Sequence, residues 1–219
     1  IKEKISLILN EIGLDPGIDH ISAMDVIDSL KSKGAVINTF KSFCGGLVAP
    51  ESDDNPWNYK FTWNPRNVVL AGQGGAATFI QENTYKYIPY HKLFRRTEII
   101  EIEDYGSFEG YANRDSLSYR EAYGIENIPT LYRGTLRRKG YAEAWNIFVQ
   151  LGITDDSFKI DDSQSISNRS FINMFLPYNE NLSVEEKICK QFNLTTDSAI
   201  FEKIRWLGVF EDTALGIKN

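Results

Sequence analysis

Residues 11–20 read Glu11-Ile12-Gly13-Leu14-Asp15-Pro16-Gly17-Ile18-Asp19-His20, and this stretch decides the fold class. It places Asp15 on a turn rich in glycine and proline that leads into a helix, because apolar residues recur at helical spacing from Ile21 to Leu30. Turns at the carboxyl ends of strands are where α/β proteins place ligands. The stretch therefore predicts an α/β chain with Asp15 at a ligand site, although Asp-Pro-Gly is also an ordinary turn sequence.

The composition limits the classes of protein. The chain has 219 residues, 42% of them hydrophobic, so it can bury one large or two small cores. It has no apolar run of about 18 residues and no signal-peptide layout, which argues against a membrane span and predicts a cytoplasmic protein. Cys44 and Cys189 lie far apart without a metal-ligand pattern, so neither a disulfide nor a metal site is expected. The net charge of -6 argues against a nucleic-acid partner.

Positive charge is nevertheless concentrated in one segment. Five of the ten arginines fall between residues 114 and 138. Arginine pairs with carboxylates through a fixed, two-pronged geometry, so this segment is a candidate anion site. For Arg120 and Arg138 a solvated basic surface is the favoured interpretation. The cluster consists of Arg114, Arg120, Arg133, Arg137 and Arg138.

Secondary-structure signals divide the chain near residue 139 into an α/β part and a helical lobe. In the second part only helices are predicted, one of them with a capping box at 183–186. Pro65 is placed to open a helix at its first turn. The elements predicted in the first part are strands at 5–9, 35–43, 59–63 and 130–137, a hairpin at 78–88, and helices at 19–33, 68–76 and 116–123.

The candidate chemistry is that of a carboxylate-binding site. The segment 109–116 is interpreted as a polar loop that runs into a helix start at Ser116, where anions are favoured. The glycine-rich stretch at 71–75 is only weakly similar to a phosphate loop, and His20 has no evident catalytic partner. From the residues alone we predict a site for a carboxylate-rich small molecule, built from Asp15, Cys44, Arg114 and Arg137.

Several separated motifs, in the same order, resemble saccharopine dehydrogenase of the glutamate-forming type. Coverage is good to about Gly140, is faint after it, and returns at Trp206-Leu207-Gly208. The resemblance rests on the stretch 11–20, Cys44-Gly45-Gly46-Leu47, Ala49-Pro50-Glu51, Asn55-Pro56, Tyr59-Lys60-Phe61, Glu109-Gly110-Tyr111, Asn113-Arg114-Asp115-Ser116, Tyr123-Gly124-Ile125 and Arg133-Gly134-Thr135-Leu136-Arg137.

The resemblance implies a fold and a domain arrangement. It implies a mixed sheet covered by helices, similar to the substrate domain of glyceraldehyde-3-phosphate dehydrogenase, with an appended helical lobe. Residues 1–12 would be the last strand of a Rossmann domain that this sequence lacks, 13–139 an incomplete catalytic domain, and 140–219 the lobe. The chain is then expected to be an excised middle section that does not catalyse hydride transfer alone. A homodimer of the full-length protein is compatible with the resemblance.

The resemblance also implies a reaction and site residues. The substrate would be saccharopine, a small tricarboxylate, and NADP, bound mainly by the missing domain, would oxidise its secondary amine to yield glutamate and α-aminoadipate semialdehyde. By family position Asp15 and Cys44 would lie near the reacting centre, and Asp15 would also contact the substrate. The remaining implied contacts are to substrate from Arg114, Thr135, Leu136 and Arg137, and to cofactor from Pro65.

Departures from the family pattern leave two alternatives open. Val48 replaces a usual proline, and Asn64-Pro65 stands at the cofactor-contacting position, where only a backbone contact can survive. One alternative is a polyamine enzyme similar to carboxynorspermidine dehydrogenase, which shares the Asp-Pro-Gly turn; the other is a non-catalytic ligand-binding domain. The match over 113–116 and 133–137 ranks saccharopine first, since a substrate with fewer carboxylates needs fewer arginines.

Overall fold

The computed structural model describes residues 9, 10, 12–72 and 75–216. Apart from Leu9, the strand predicted at 5–9 lies outside these residues, as does most of the segment 1–12. The strands are β1 (Thr39–Cys44), β2 (Ala77–Gln81), β3 (Thr84–Ile88), β4 (Glu98–Ile102), β5 (Gly106–Ala112) and β6 (Thr130–Arg138). The helices are α1 (Ile18–Ser32), α2 (Pro65–Val69), α3 (Tyr90–Leu93), α4 (Tyr119–Ala122), α5 (Tyr141–Leu151), α6 (Asn168–Met174), α7 (Val184–Phe192) and α8 (Ala199–Trp206).

Among the described residues the strands form one mixed sheet with β6 at its centre. Strand β6 pairs with β1 in parallel and with β2 and β5 in antiparallel fashion. The hairpin β2–β3 and the strand β4 extend the sheet beyond these pairs. The mixed sheet with covering helices confirms the fold class predicted from the sequence.

Two apolar clusters cover the sheet. The smaller packs α1 against β6 through Ala23, Ile27 and Leu131. The larger joins sheet residues such as Phe79 to helical residues such as Phe201, so it continues across residue 139. The change from strands to helices falls where the sequence predicted it, and the division at residue 139 into separate domains stays a prediction.

A buried carboxylate connects the sheet to the helical lobe. Glu109 on β5 accepts hydrogen bonds from the backbone N–H groups of Gly140 (2.7 Å) and Ala142 (3.0 Å) at the start of α5. Trp57 Nε1 donates to the carbonyl of Lys203 on α8 at 2.6 Å, and the Lys203 ammonium donates to the carbonyl of Pro56. Most of the surface of α5 is apolar, and apolar packing alone does not fix a helix at one position along the sheet. The polar contacts therefore determine where α5 begins on the sheet.

The ring of Phe43 on β1 covers two glycines on the neighbouring strands. A Cβ atom added at Gly134 would lie 2.8 Å from this ring, and one added at Gly110 would lie 2.9 Å from it. Both distances are shorter than van der Waals contact, so the strands can pack as they do only because both positions are glycine.

Several sequence predictions are confirmed and some are wrong. The first helix, the hairpin, β6 and the capping box of α7 all form where predicted. The strand predicted at 35–43 begins only at Thr39. The helix predicted at 68–76 begins at Pro65 and ends by residue 72, and Gln73 and Gly74 of the glycine-rich stretch lie outside the described residues.

The strand predicted at 59–63 is wrong. This segment has no strand partner among the described residues, and Tyr59 instead packs edge-on against Phe61 and against Tyr141 of α5. The carbonyl of Tyr59 accepts from the Asn55 side chain at 3.1 Å. In this segment Tyr59 therefore packs on a helix, and Trp63 is exposed at 59%.

The loop predicted at 109–116 is also wrong in part, because its first residues belong to β5. The helix that follows begins at Tyr119 and not at Ser116. The N–H groups of Leu117 and Ser118 donate to the Asp115 carboxylate at 2.8 and 3.1 Å. The protein's own carboxylate thus occupies the helix start that the sequence suggested for an anion.

An ion pair between α6 and α7 makes the stability depend on pH. Arg169 binds Glu185 with both nitrogens, at 2.8 and 2.6 Å, and this hydrogen bonding lowers the pKa of Glu185 below its usual value of 4.5. A lowered pKa stabilises the fold above the unfolded-state value, and the gain is lost as the pH falls through the folded-state value. We expect Arg169→Gln to cost about 0.5–1 kcal/mol at neutral pH, because the pair is partly exposed, and almost nothing near pH ~2.

Urea unfolding at the two pH values measures this difference. Glu185→Gln with Arg169→Gln serves as the control, since it removes the charge that titrates. An equal cost for Arg169→Gln at both pH values would show that the side chain acts through packing and not through the ion pair.

Candidate active site

Strand β6 carries three polar residues on one face. Because successive side chains of a strand point to opposite sides, Arg133, Thr135 and Arg137 share a face, while Leu136 points to the other. These three residues line a cavity of about 610 Å³ that also includes Asp15 and Arg114. The structure therefore brings together four of the residues predicted for the site: Asp15, Arg114, Thr135 and Arg137.

Aromatic side chains form much of the rest of the cavity wall, together with aliphatic residues and the polar residues Asn113 and Asp115. They come from the loop before α2, from α3, from β5 and from α5, so the lobe and the sheet both contribute to the cavity. Tyr111 is buried against the site, and burial raises the pKa of its phenol. The aromatic lining consists of Trp63, Tyr90, Phe94, Tyr111, Tyr141 and Trp145, with Tyr119 beside the polar end.

Asp15 is held by a buried arginine. Arg133 Nη2 donates to Asp15 Oδ1 at 3.1 Å and to Asp19 Oδ2 at 2.6 Å. The side chains of Arg133 and Asp19 are 5% and 6% exposed, whereas that of Asp15 is 30% exposed. The N–H of Gly17 donates to the other oxygen of Asp19 at 2.9 Å, which fixes this carboxylate to the turn. Asp15 is thus the most exposed member of the group, and it lines the cavity together with Arg133.

Two guanidinium groups in the cavity have no acidic partner. Arg137 lies over the rings of Tyr59 (4.6 Å) and Tyr141 (5.4 Å), and its Nη1 donates to the carbonyl of Leu136 at 2.9 Å. Its Nε is buried without a hydrogen-bond partner. Within the described part of the chain, neither Arg137 nor Arg114 forms an ion pair. The cavity therefore presents positive charge that an anionic ligand can neutralise.

Cys44 lies beside the site but outside the lining of this cavity. It pairs with Thr135 in the β1–β6 ladder and lines a neighbouring cleft together with Asp19. Burial raises the pKa of its thiol, and the negative charges of Asp15 and Asp19 raise it further. At neutral pH the thiol is therefore protonated, and a nucleophilic thiolate is disfavoured.

The other two predicted residues are also outside this lining. The Leu136 side chain is buried and alternates with those of Thr135 and Arg137 along β6, and Leu136 is not part of the cavity lining. Pro65 is the first residue of α2, and its segment contributes Trp63 and Val68 to the lining. The roles of Leu136, Cys44 and Pro65 in binding or catalysis stay predictions.

The sequence analysis did not identify the ion-pair network behind Asp15. Arg133 was part of the arginine cluster and Asp19 part of the first motif, yet their pairing spans 114 residues of sequence. The available signal was the presence of two carboxylates in a short turn without a nearby cation. Groups of three or more His, Cys, Asp or Glu side chains suited to a metal ion are not found in the described residues.

Fold and site together define an α/β protein with a cavity suited to a small molecule that carries carboxylates. The chain belongs to the saccharopine dehydrogenase C-terminal domain family, whose model matches residues 13–214. This confirms the resemblance stated from the sequence motifs.

Relatives and a solved structure agree with this assignment. The chain is 34% identical to saccharopine dehydrogenase (NADP(+), L-glutamate-forming) of Pyricularia oryzae, over 94% of this chain and 46% of that protein. It is 42% identical to the mitochondrial alpha-aminoadipic semialdehyde synthase of Mus musculus, over 67% of this chain and 16% of that protein. The structure of apo histidine-tagged saccharopine dehydrogenase (L-Glu forming) from Saccharomyces cerevisiae matches with a TM-score of 0.76 and 32% identity, over 92% of this chain and 46% of that one.

The chain spans about half the length of the saccharopine dehydrogenases that it matches. It spans a smaller share of the alpha-aminoadipic semialdehyde synthases, 16% of the mouse protein and 23% of the bovine one. None of the helices in the described residues is long and apolar enough to cross a membrane.

Proposed function

We propose that this chain is the substrate-binding part of an oxidoreductase that acts on the secondary amine of saccharopine with NADP. The observation that carries the proposal is that two guanidinium groups without acidic partners, Arg114 and Arg137, line the same cavity as the Asp15 carboxylate. Saccharopine has three carboxylates and two amino nitrogens, so its charged groups are opposite in sign to these two cations and to this anion. The names of the relatives, which include NADP(+) and L-glutamate, support the same reaction.

In this proposal the polar residues of β6 and Arg114 hold the substrate. Carboxylates bind Arg137 and Arg114, and the Thr135 hydroxyl, which donates to Asn113 Oδ1 at 2.7 Å, can accept a second hydrogen bond beside them. The aromatic walls exclude water from the aliphatic part of the substrate. Leu136 would contribute through its backbone.

Asp15 and Cys44 would accept and donate protons near the reacting nitrogen. Asp15 keeps one oxygen on Arg133 and has the other available to accept a hydrogen bond from an ammonium group or a water molecule. Cys44 keeps its proton at neutral pH and would act only as a donor. Water addition to an imine and collapse of the carbinolamine to glutamate and α-aminoadipate semialdehyde both need such transfers, which are typically worth ~10²–10⁴ in rate.

The residues of this chain could contact only one part of a bound NADP molecule. NADP, when bound, accepts hydride from the carbon next to the substrate nitrogen. Trp63 is 59% exposed at the cavity and offers a flat surface, and Pro65, which lacks an N–H, can offer only its carbonyl. The sequence has no complete Gly-x-Gly-x-x-Gly pattern, so residues outside this chain would hold most of the cofactor.

The domain assignment forms part of the same proposal. Residues 1–12 would complete a nucleotide-binding domain, 13–139 would be the catalytic domain and 140–219 the helical lobe. On this basis we expect the chain alone to bind substrate without turning it over. The cytoplasmic location and the homodimer of the full-length protein stay predictions.

Calorimetric titration of the chain with saccharopine tests the proposal, with glutamate and carboxynorspermidine offered separately. We expect saccharopine to bind most tightly. Arg137→Met should weaken it by about 30-fold or more and Arg114→Met by about tenfold, because each loses a charged contact. Arg95→Met is the matched control, since Arg95 is exposed and lies outside the cavity lining.

Three outcomes would contradict the proposal in different ways. Tighter binding of carboxynorspermidine would favour the polyamine enzyme. Tight binding of a different anion at Arg114 and Arg137 would favour a binding domain without this reaction. Equal effects of Arg95→Met and Arg137→Met would place the binding site elsewhere.

A further inference from the structure

His20 lies in a network behind the site that the proposed reaction does not use. Its Nδ1 is 2.6 Å from the Tyr123 hydroxyl and 3.7 Å from Asp19 Oδ2. Its ring stacks on Tyr119, with centroids 4.9 Å apart and planes at 19°. The same Tyr119 ring lies under the Arg133 guanidinium, whose carbon is 4.0 Å from the ring centroid. His20 therefore contacts both groups that hold Arg133 in place, Asp19 and Tyr119.

Counting hydrogen bonds decides which nitrogen of His20 carries the proton. Nε2 is buried and has no partner in the described part of the chain. If Tyr123 donates to Nδ1, only the Nε2 proton is left unpaired. If Nδ1 donates to Tyr123, both the phenol proton and the Nε2 lone pair are left unpaired, since within the described residues the Tyr123 hydroxyl contacts Nδ1 as its hydrogen-bond partner. The first arrangement leaves fewer buried groups unsatisfied.

The state of Tyr123 agrees with this arrangement. Burial raises the pKa of its phenol to about 12, so the hydroxyl keeps its proton at neutral pH and is available to donate. At 3.7 Å the Asp19 oxygen is too far from Nδ1 for a hydrogen bond, and it is already bound to Arg133.

We propose that His20 is a positioning residue of this site: as a neutral imidazole that accepts from Tyr123, it holds the Tyr119 ring and, through it, the Arg133 guanidinium against Asp15. The inference rests on the proposed function only in the role given to Asp15. His20 does not line the cavity and acts on the ligand through Arg133.

Asp15 lines the cavity and is held by Arg133, so loss of this arrangement is expected to lower ligand affinity.

Nitrogen NMR of the 219-residue chain tests the first step without any ligand. We expect the His20 ring to carry its proton on Nε2 with Nδ1 as an acceptor at about pH 8. We also expect the Arg133 side-chain N–H signals to be protected from exchange in the wild type and in His91→Asn. The protection should be lost in His20→Phe and in Tyr123→Phe, which keep the rings but remove the hydrogen bond.

Ligand titrations with saccharopine as the probe test the second step. At neutral pH the affinity of His20→Phe should be about fivefold or more below that of the wild type. His20→Asn keeps a hydrogen-bond acceptor, so its affinity should fall by less than about twofold. His91→Asn, which changes the other, exposed histidine, should bind as the wild type does.

Specific results would overturn the inference. A proton on Nδ1, or unchanged Arg133 signals in both His20→Phe and Tyr123→Phe, would show that His20 does not position Arg133. Unchanged saccharopine affinity in His20→Phe would show that His20 does not act on the ligand through Arg133. If the wild type binds no saccharopine, the proposed function fails, and the NMR comparison still decides the role of His20.

Discussion

Replacing Arg133 by methionine is expected to lower the free energy of unfolding by about 3–5 kcal/mol at neutral pH. Methionine fills a similar volume, so the effect comes from charge. It leaves Asp19, whose side chain is 6% exposed, without its cation at 2.6 Å, and it frees Asp15 as well. An unpaired buried carboxylate costs more than the ion pair contributed, because it cannot recover its hydration. Urea unfolding of the two chains measures the difference.

Two comparison variants make the result specific to the buried pair. Arg138→Met changes another arginine of β6, which lies at the strand end and donates to a backbone carbonyl; it should cost less than about 1 kcal/mol. Asp19→Asn combined with Arg133→Met should recover part of the loss, since it removes the stranded charge. A cost below about 1 kcal/mol for Arg133→Met alone would mean that the carboxylates do not depend on this cation.

The second large effect is expected at the start of α5. Glu109→Ala should lower the free energy of unfolding by about 2–4 kcal/mol, because it leaves the buried N–H groups of Gly140 and Ala142 without acceptors. It also removes a negative charge near the Lys203 ammonium, which is itself buried. Since α5 supplies Tyr141 and Trp145 to the cavity wall, saccharopine affinity should fall with stability.

Glu143→Ala is the matched control for this prediction. Glu143 lies in the first turn of the same helix and is exposed, so it acts only through the helix dipole, which is worth about 0.3–1 kcal/mol. Thermal unfolding of both variants gives the comparison. Similar losses in the two variants would show that charge near the helix start matters and that the hydrogen bonds to Gly140 and Ala142 do not.

Local signals in the sequence were sufficient for part of the fold. The spacing of apolar residues before Gly34 predicted α1, and the capping box predicted the start of α7, because both depend on neighbours within a few residues. Strand β6 was predicted from its own composition. These elements need no information from distant parts of the chain.

Prediction from the sequence failed where contacts between residues far apart in the chain determine the structure. The part of β5 from residue 109 onward was assigned to a loop, because Glu109 and Gly110 are poor strand residues in isolation. In the structure Gly110 makes room for Phe43, and Glu109 binds the start of α5, so both choices serve partners far along the chain. Aromatic residues at every second position of 59–63 suggested a strand. Such a spacing does not reveal whether the segment packs against a strand or against a helix.

For the candidate site, too, some residues were predicted from the sequence and some contacts were not. Asp15, Arg114, Thr135 and Arg137 were named before the structure brought them to one cavity, since charge and motif both marked them. The pairing of Arg133 with Asp19 and the stacking of His20 on Tyr119 depend on how α1 and α4 pack against β6. Local sequence identifies the partner in neither contact, although two carboxylates in one short turn indicated that a cation was needed.

The packing of Phe43 over Gly110 and Gly134 has a consequence for how this sequence can vary over time. Three positions on three strands share one volume, so a side chain at 110 requires a loss of volume at 43, and one at 134 also requires a shift of the Tyr111 carbonyl oxygen, which lies 2.9 Å from the added Cβ position. A single substitution at any of these positions passes through an overfilled or underfilled intermediate. Substitutions at these three positions should therefore occur together. This couples the evolution of the strand that carries Cys44 to that of the strand that carries Arg133 and Arg137.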